Sequence, residues 1–470
     1  IRYGGYYTQE QMKDYWDMMM ANPRCAGGFL WDLMDQGVVR TDKNNYVDCM
    51  GNFGADGIVG PHAEKEGSYY TIKEVWCPVQ LTWNDVEKGE LTLSNQYNFV
   101  NLKDCRFSYR LLQMPAMGST QVKVLKQGNL SSPDVAPGKE AQVKIPMMAN
   151  ADAVEIKAVN HEGEEIMTWS RGVKSEERRV KNSSAPSTSS AAYADQADAV
   201  EVKAGGRTYR FAKKDGRLMG VEVGSKAISL SNGPRFMAAR RSDRSLDQFY
   251  NHDDKEAEKK KTLYTEFVDQ GAFAGFEWKE AEAKLVATYQ HGSLDEVDWQ
   301  FLSDGSVAVT CHYNFGGVVD MMGMAFDYPE SKVRSKAWVG NGPYRVWQNR
   351  EQGPQYGYWQ NDYNDPIPAE SWDYPEFKGY FANVKWMQFK TDEGKIGFSG
   401  LTADEHMGVY TPRDGRDGLL YTLPQTGLAV FKVIPSVRNK VNTTDLNGPS
   451  AQPKWLNGKG KTVFTLNFEL

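Results

Sequence analysis

Cysteine is scarce in this chain: five residues in 470, widely spaced and with no C-x-x-C pair. That spacing gives no sign of a structural zinc site or a disulfide framework. Histidine is scarcer still, and none of the six stands in an H-E-x-x-H or other close metal-ligand spacing. The sequence contains neither G-x-S-x-G nor G-x-x-x-x-G-K-[ST], so neither a serine nucleophile elbow nor a phosphate loop is indicated. No apolar run approaches the ~18 residues of a transmembrane helix. Positive charge is not in excess, with 55 Lys and Arg against 61 Asp and Glu, a net charge of -6. Nucleic acid and anionic membrane surfaces therefore have no electrostatic case as partners. The chain opens on Ile1 without a signal-like charged and apolar start, which suggests a processed chain or a piece of a longer one. The sequence assigns no compartment; a soluble, periplasmic or secreted protein is compatible with it.

What is present has a clear organisation. The length suits roughly three domains of ~150 residues. Aromatics make up 12% of the chain, with 13 Trp, a supply that suits sugar stacking and β-sandwich cores equally well. Thr8 and Gln11 have capping-box spacing, and Met12, Tyr15, Trp16 and Met19 recur at helical intervals, predicting a helix over 8–20 that Asn22-Pro23 ends. Ala26 to Trp31 reads as a short apolar strand, and Ala63 to Val75 as a second helix. Helix, buried strand, long loop and helix together are α/β grammar.

After Pro78 the grammar changes. Leu91 and Leu93, Phe107, Tyr109 and Leu111, then Val143, Ile145, Val154 and Ile156 alternate with polar neighbours. Short alternating strands without helices suggest an immunoglobulin-like sandwich. The Ser/Thr/Pro/Ala stretch with Ser183, Ser184, Pro186 and Ser187 has nothing to bury and reads as a linker. Beyond it, Asp215-Gly216, Asp304-Gly305 and Glu393-Gly394 mark hairpin turns, and Val307, Val309, Cys311 and Tyr313 alternate. The run "DDKEAEKKK" (253–261) reads as a solvated loop or helix face. Four segments result: 1–78, a sandwich over 79–173, a linker over 174–191, and a large double-sheet β domain over 192–470.

The stretch "GGFLWDLMDQG" (27–37) does not look like ordinary core. By spacing alone, two readings stand side by side. Trp31 can pack while Asp32 caps the next turn, or the pair can stand at the C-terminal edge of a barrel strand, where (β/α)8 enzymes place their chemistry.

"RCAGGFLWDLMDQG" resembles the G-G-F-x-W-D-x-x-D-Q segment of glycoside hydrolase family 2, specifically its β-galactosidases. "DYWDMMMANPR" is similar to the helix before that segment, and "FGADGIVGPH" (53–62) to the family's F-x-x-[ND]-G-[LI]-V. "YYTIKEVWCPVQL" resembles the closing barrel helix and the exit into the sandwich, and "NQYNFVNLKD" the first sandwich strands. "GNGPYRVWQNR" (340–350) is similar to a motif of the small-chain domain. The resemblance implies a mainly β fold: a remnant of a (β/α)8 barrel over 1–78, an immunoglobulin-like sandwich, then a galactose-mutarotase-like supersandwich.

It also implies a function and its limits. The family is a retaining one, whose two catalytic carboxyls stand about 5–5.5 Å apart. Both of its glutamates precede the G-G-F-x-W-D segment, upstream of Ile1, so no catalytic residue is assigned here and this chain alone is expected to be inactive. Asp32 and Asp35 are not promoted to that pair, since the resemblance gives them structural roles. Trp31 matches a tryptophan that walls the galactose subsite, and Asp32 follows it, holding the strand end or touching the sugar. Phe53 matches a residue whose carbonyl helps bind Na+, and Asp56 matches the Asn that supplies that ion a side-chain oxygen. The change to Asp adds a charge while keeping an oxygen ligand suited to a hard cation. Mg2+ is implied in the full enzyme, and no organic cofactor. Gly340, Gly342, Pro343 and Arg350 match the small-domain motif, where turn shaping outweighs sugar contact. "GPRFMAARRSDRS" (233–245) is only a distant version of its family counterpart. The expected partners are a galactoside or oligosaccharide, with either a second copy of the chain or the upstream barrel portion. The alternative is a non-enzymatic carbohydrate-binding or scaffold protein built on a mutarotase-like sandwich.

Overall fold

The computed structural model describes residues 9–48, 57–65, 67–173, 191–241, 264–362, 379–410, 423–424, 426–436 and 448–470. Strands dominate, and only two α-helices occur among the described residues: α1 (Gln9–Ala21) and α2 (Gly67–Val75). Along α1, Met12 is buried while Trp16 and Met19 are half-buried, as their spacing requires; Tyr15 instead faces solvent. α2 begins later than the sequence suggests. Ala63 takes a left-handed φ of 64° and closes a turn in which Gly60 N–H donates to Glu64 O (2.9 Å), so helical backbone cannot start there.

The expected strand Ala26–Trp31 is absent. Residues 25–30 form no ladder, and Phe29 stands fully exposed rather than filling a core. A barrel strand is held by neighbours on both edges, and no strand lies beside this one among the described residues, so its backbone gains nothing by extending.

From Val79 onwards alternation becomes sheet. A three-stranded sheet (79–85, 90–95, 140–144) and a four-stranded sheet (106–113, 123–130, 153–159, 165–172) pack face to face. Leu91, Leu93, Phe107, Leu111, Val154 and Ile156 fill the space between them. This is an immunoglobulin-like sandwich in the sense that every second residue points inward.

Residues 192–469 build a supersandwich of a ten-stranded and a nine-stranded sheet, all pairs antiparallel. Its longest ladder pairs Val307–Val319 with Lys454–Glu469, the C-terminal strand. Val307, Val309, Cys311 and Tyr313 do alternate inward. Gly216 (φ 72°) and Gly305 (φ 81°) turn hairpins at the Asp-Gly pairs, and Gly394 turns the third at Glu393. Trp299, Trp338, Phe326, Phe398 and Phe464 lie in one core spanning both sheets. The four described cysteines, Cys25, Cys77, Cys105 and Cys311, are free. No described helix is long and apolar enough to cross a membrane. The segment 174–190, the run 253–261 and residues 242–245 lie outside the described residues.

Candidate functional site

Trp31 and Asp32 stand on a segment held by a short parallel contact rather than by a sheet. Ile58 N–H donates to Asp32 O (3.2 Å) and Val59 N–H to Leu33 O (3.1 Å); Asp35 N–H returns a bond to Val59 O (3.0 Å). Asp35 itself is only 3% exposed, and its Oδ1 accepts the Gly57 N–H at 2.9 Å. A Cβ on Gly57 would lie 2.3 Å from Asp35 N and 2.5 Å from Val59 O, so only glycine permits this approach. Asp35 is thus a structural latch, as the sequence suggests.

Trp31, in contrast, is 71% exposed. It fills no core among the described residues. Asp32 accepts from Gln36 Nε2 (3.0 Å) through Oδ2, while its Oδ1 is hidden from solvent and has no hydrogen-bond partner among the described residues. Phe29, Leu33, Val38 and Met18 of the same N-terminal segment are also exposed. Phe53 and Asp56 lie outside the described residues, immediately before the Gly57 that anchors the latch.

α2 ties this segment to the two β units. Thr71 Oγ1 donates to Gln352 O (2.5 Å), and Gly353 N–H donates to Glu74 Oε2 (2.7 Å). Tyr70 stacks on Tyr344 with centroids 4.7 Å apart. Burial pushes the Glu74 carboxyl upward, against the Gly353 hydrogen bond and the Arg171 charge. The loop carrying "GNGPYRVWQNR" is therefore scaffold: Gly340 packs against Val384 and Asn383 backbone, the Trp359 ring occupies the space beside Gly342, and Arg350 is buried with its Nη2 toward Arg345 O.

Sequence reasoning missed a cleft of about 1110 Å³ where the sandwich, α2 and the supersandwich meet. Its walls come from residues as distant as Trp83, Trp169, Gln352, Asn383 and His406. No local motif brings such residues together, so only tertiary packing shows it. Elsewhere, Glu296, Asp298 and His312 are one group whose ligand atoms lie within 4.8 Å of one another, on adjacent supersandwich strands. Lys284 stands 3.6 Å from Asp298 and already offsets its charge, which leaves a surface ion cluster.

The family profile of the β-galactosidase small chain matches residues 203–428, and that of β-galactosidase domain 4 matches residues 91–169. A β-galactosidase of Oenococcus oeni is 19% identical over 487 aligned residues, covering 94% of this chain and 45% of that protein. A β-galactosidase of Pectobacterium atrosepticum is 30% identical over 96 residues, covering 18% of this chain and 9% of that protein. The chain thus spans under half the length of these curated relatives. Among solved structures, a galactose 1-epimerase from Lactobacillus acidophilus overlays with a TM-score of 0.33 at 9% identity, over 61% of this chain and 99% of that one. An overlay at that score adds no argument about function. The sandwich and the supersandwich each carry a β-galactosidase domain, in the family's order, and the chain belongs with the C-terminal portion of the family 2 β-galactosidases.

Proposed function

We propose that this chain supplies part of the sugar site and the supporting β domains of a retaining β-galactosidase-type glycoside hydrolase acting on terminal β-galactosides. The observation that carries the proposal is Trp31: a large indole, 71% exposed, held on a latched segment beside Asp32. An indole covers the C–H face of a pyranose, while carboxylate and amide oxygens take its hydroxyls. Asp32 meets a hydroxyl through Oδ2, beside the Gln36 amide, since its Oδ1 is hidden from solvent and stays with the strand end. Phe53 through its carbonyl and Asp56 through its carboxylate would hold a monovalent cation beside the sugar, oxygen donors of the kind a hard ion takes.

No residue here is assigned as the acid/base or the nucleophile; on this reading both glutamates belong to barrel strands outside this chain. The exposed side chains of Phe29, Leu33 and Val38 are surface that such a barrel portion would cover.

The test is hydrolysis of a chromogenic β-galactoside. The chain alone is expected to show none, because losing even one catalytic group costs orders of magnitude in rate. Joined to its barrel portion it should turn over, and Trp31→Ala should then cost about 1–3 kcal/mol in kcat/KM. Robust turnover by the chain alone, or a Trp31→Ala enzyme with unchanged kcat/KM, would overturn the assignment.

A further inference from the structure

The helix α2 is gripped from opposite sides. Gly67, Thr71 and Glu74, four and three residues apart, lie on one stripe of it, and Tyr69 and Ile72 lie on the far side. Tyr69 and Ile72 pack with Ile58, Val59 and Leu30 in the small N-terminal core. Ile58 and Val59 in turn donate to Asp32 O and Leu33 O, and Leu30 is the residue before Trp31. This face of α2 therefore holds the chain on both sides of the indole, directly at Leu30 and through Ile58 and Val59 at Asp32 and Leu33.

The other face meets the supersandwich. Gly67 lies beside Tyr344 and Arg350, Thr71 Oγ1 donates to Gln352 O, and Glu74 accepts the Gly353 N–H. The approach at Gly353 leaves no room for a side chain. Its φ is 100°, and a Cβ there would lie 2.7 Å from Thr71 Oγ1 and 2.9 Å from Thr71 N. The loop thus lays bare backbone on the helix, a contact that fixes their separation more tightly than flexible side chains could. Gly57 makes the same kind of contact at the other end of the route, against Asp35 and Val59. α1 also reaches the supersandwich, through a solvent-exposed bond from Ser450 Oγ to Asp14 Oδ2 (3.2 Å), a weaker tie than buried backbone contact.

We propose that Thr71 and Glu74 of α2, with Gln352 and Gly353 of the supersandwich, are positioning residues for the sugar site, an inference that rests on the reading of Trp31 as the residue stacked on the galactoside. The supersandwich loop sets the place of the indole through α2 and does not itself touch the sugar. A rigid helix between two glycine contacts is the kind of support that holds a binding group in register. It gives the distant β domain a part in turnover, since misplacing a substrate by ~1 Å costs about 10²-fold in rate.

Two measurements test it. In the 470-residue chain, Gly353→Ala should accelerate hydrogen exchange of the Val59 and Asp35 amides at least about tenfold, with the ladder between 307–319 and 454–469 unchanged. Thr71→Val keeps the side-chain shape and removes the hydroxyl donor, so it should act in the same direction, and Thr71→Ser should restore wild-type exchange. Should Gly353→Ala loosen the ladder as well, the Thr71 pair decides. In the chain joined to its barrel portion, Gly353→Ala should lower kcat/KM for a chromogenic β-galactoside about tenfold, but less than about twofold in the Trp31→Ala background. That lost additivity is the signature of action through Trp31; a merely structural contact lowers both backgrounds alike. The proposal is overturned by Val59 and Asp35 amides that keep wild-type protection in Gly353→Ala and in Thr71→Val, or by equal losses of kcat/KM in the two backgrounds. A Trp31→Ala enzyme with unchanged kcat/KM overturns it through the Trp31 reading, and accelerated exchange in Gly353→Ala would then show that this reading failed and not the linkage through α2.

Discussion

Residues 9–75 and the supersandwich both carry many large apolar side chains and dispose of them in opposite ways. In the supersandwich, Trp299, Trp338, Phe326 and Phe398 are fully enclosed. In the N-terminal segment, Phe29, Trp31, Leu33, Met18 and Val38 face outward, and among the described residues its own core is Met12, Ile58, Val59 and Ile72. The difference follows from strand topology. Antiparallel hairpins such as 386–391 with 395–399 satisfy their backbone from neighbours a few residues away. A parallel barrel strand needs partners far off in sequence, and among the described residues one isolated parallel bridge, Met34 to Val59, is what forms here.

Core truncation would sharpen the contrast most. Trp299→Ala removes a fully buried indole and should cost about 3–5 kcal/mol of supersandwich stability, read by denaturant unfolding. The same experiment on Phe29→Ala, a site the sequence would have placed in a packed core, should register within about 0.5 kcal/mol, because no described residue covers that ring. A large loss in Phe29→Ala would break the comparison.

Acid titration probes the supersandwich side alone. His406 is pushed from its ordinary 6.5 down to about 4 by burial, so the unfolded chain takes up a proton on this residue before the folded chain does. Its contribution is intact above about 6.5, is lost progressively as pH falls towards 4, and amounts to roughly 2–3 kcal/mol across that window. The difference in stability between the wild-type chain and His406→Gln, followed from pH 7.5 to 4, should shift by that amount; a flat difference contradicts it.

Gly57→Ala acts on the N-terminal side. Its Cβ would strike backbone atoms of Asp35, Met34 and Val59, which cannot move independently, so the latch should weaken by about 1–3 kcal/mol. Hydrogen exchange at Val59 and Asp35 amides should accelerate while supersandwich amides stay protected. Trp31→Ala should have the smallest effect on stability, within about 0.5 kcal/mol, whatever it does to sugar affinity. If it unfolds the segment, Trp31 is scaffold and the contrast between exposed site and buried core fails at its central residue.

The β portion was legible because its signals are local. Alternation at Leu91 and Leu93 or Val307 and Val309 reports which face is buried, and Asp215-Gly216, Asp304-Gly305 and Glu393-Gly394 mark turns where a left-handed or strained backbone favours glycine. The two helices were legible too, although Ala63 and the turn it closes delayed α2 to Gly67. The strand at Ala26–Trp31 misled for a physical reason: an apolar run states that burial is favourable, not that a partner is present to provide it. Of the candidate site, the segment with Trp31 and Asp32 could be picked out from its composition, and the latch role of Asp35 follows from its bond to Gly57 across 22 residues.

The sequence by itself determined the period of the strands, the positions of the hairpins, the balance of charge and the motifs that mark the β-galactosidase family, since each depends on residues close together in the chain. Only the tertiary structure decided that Trp31 is exposed, that Asp35 meets Gly57, and that Trp83, Gln352 and His406 border one cleft. Those outcomes depend on how separate β units pack. Contacts between surfaces hundreds of residues apart leave no periodicity in the chain to read.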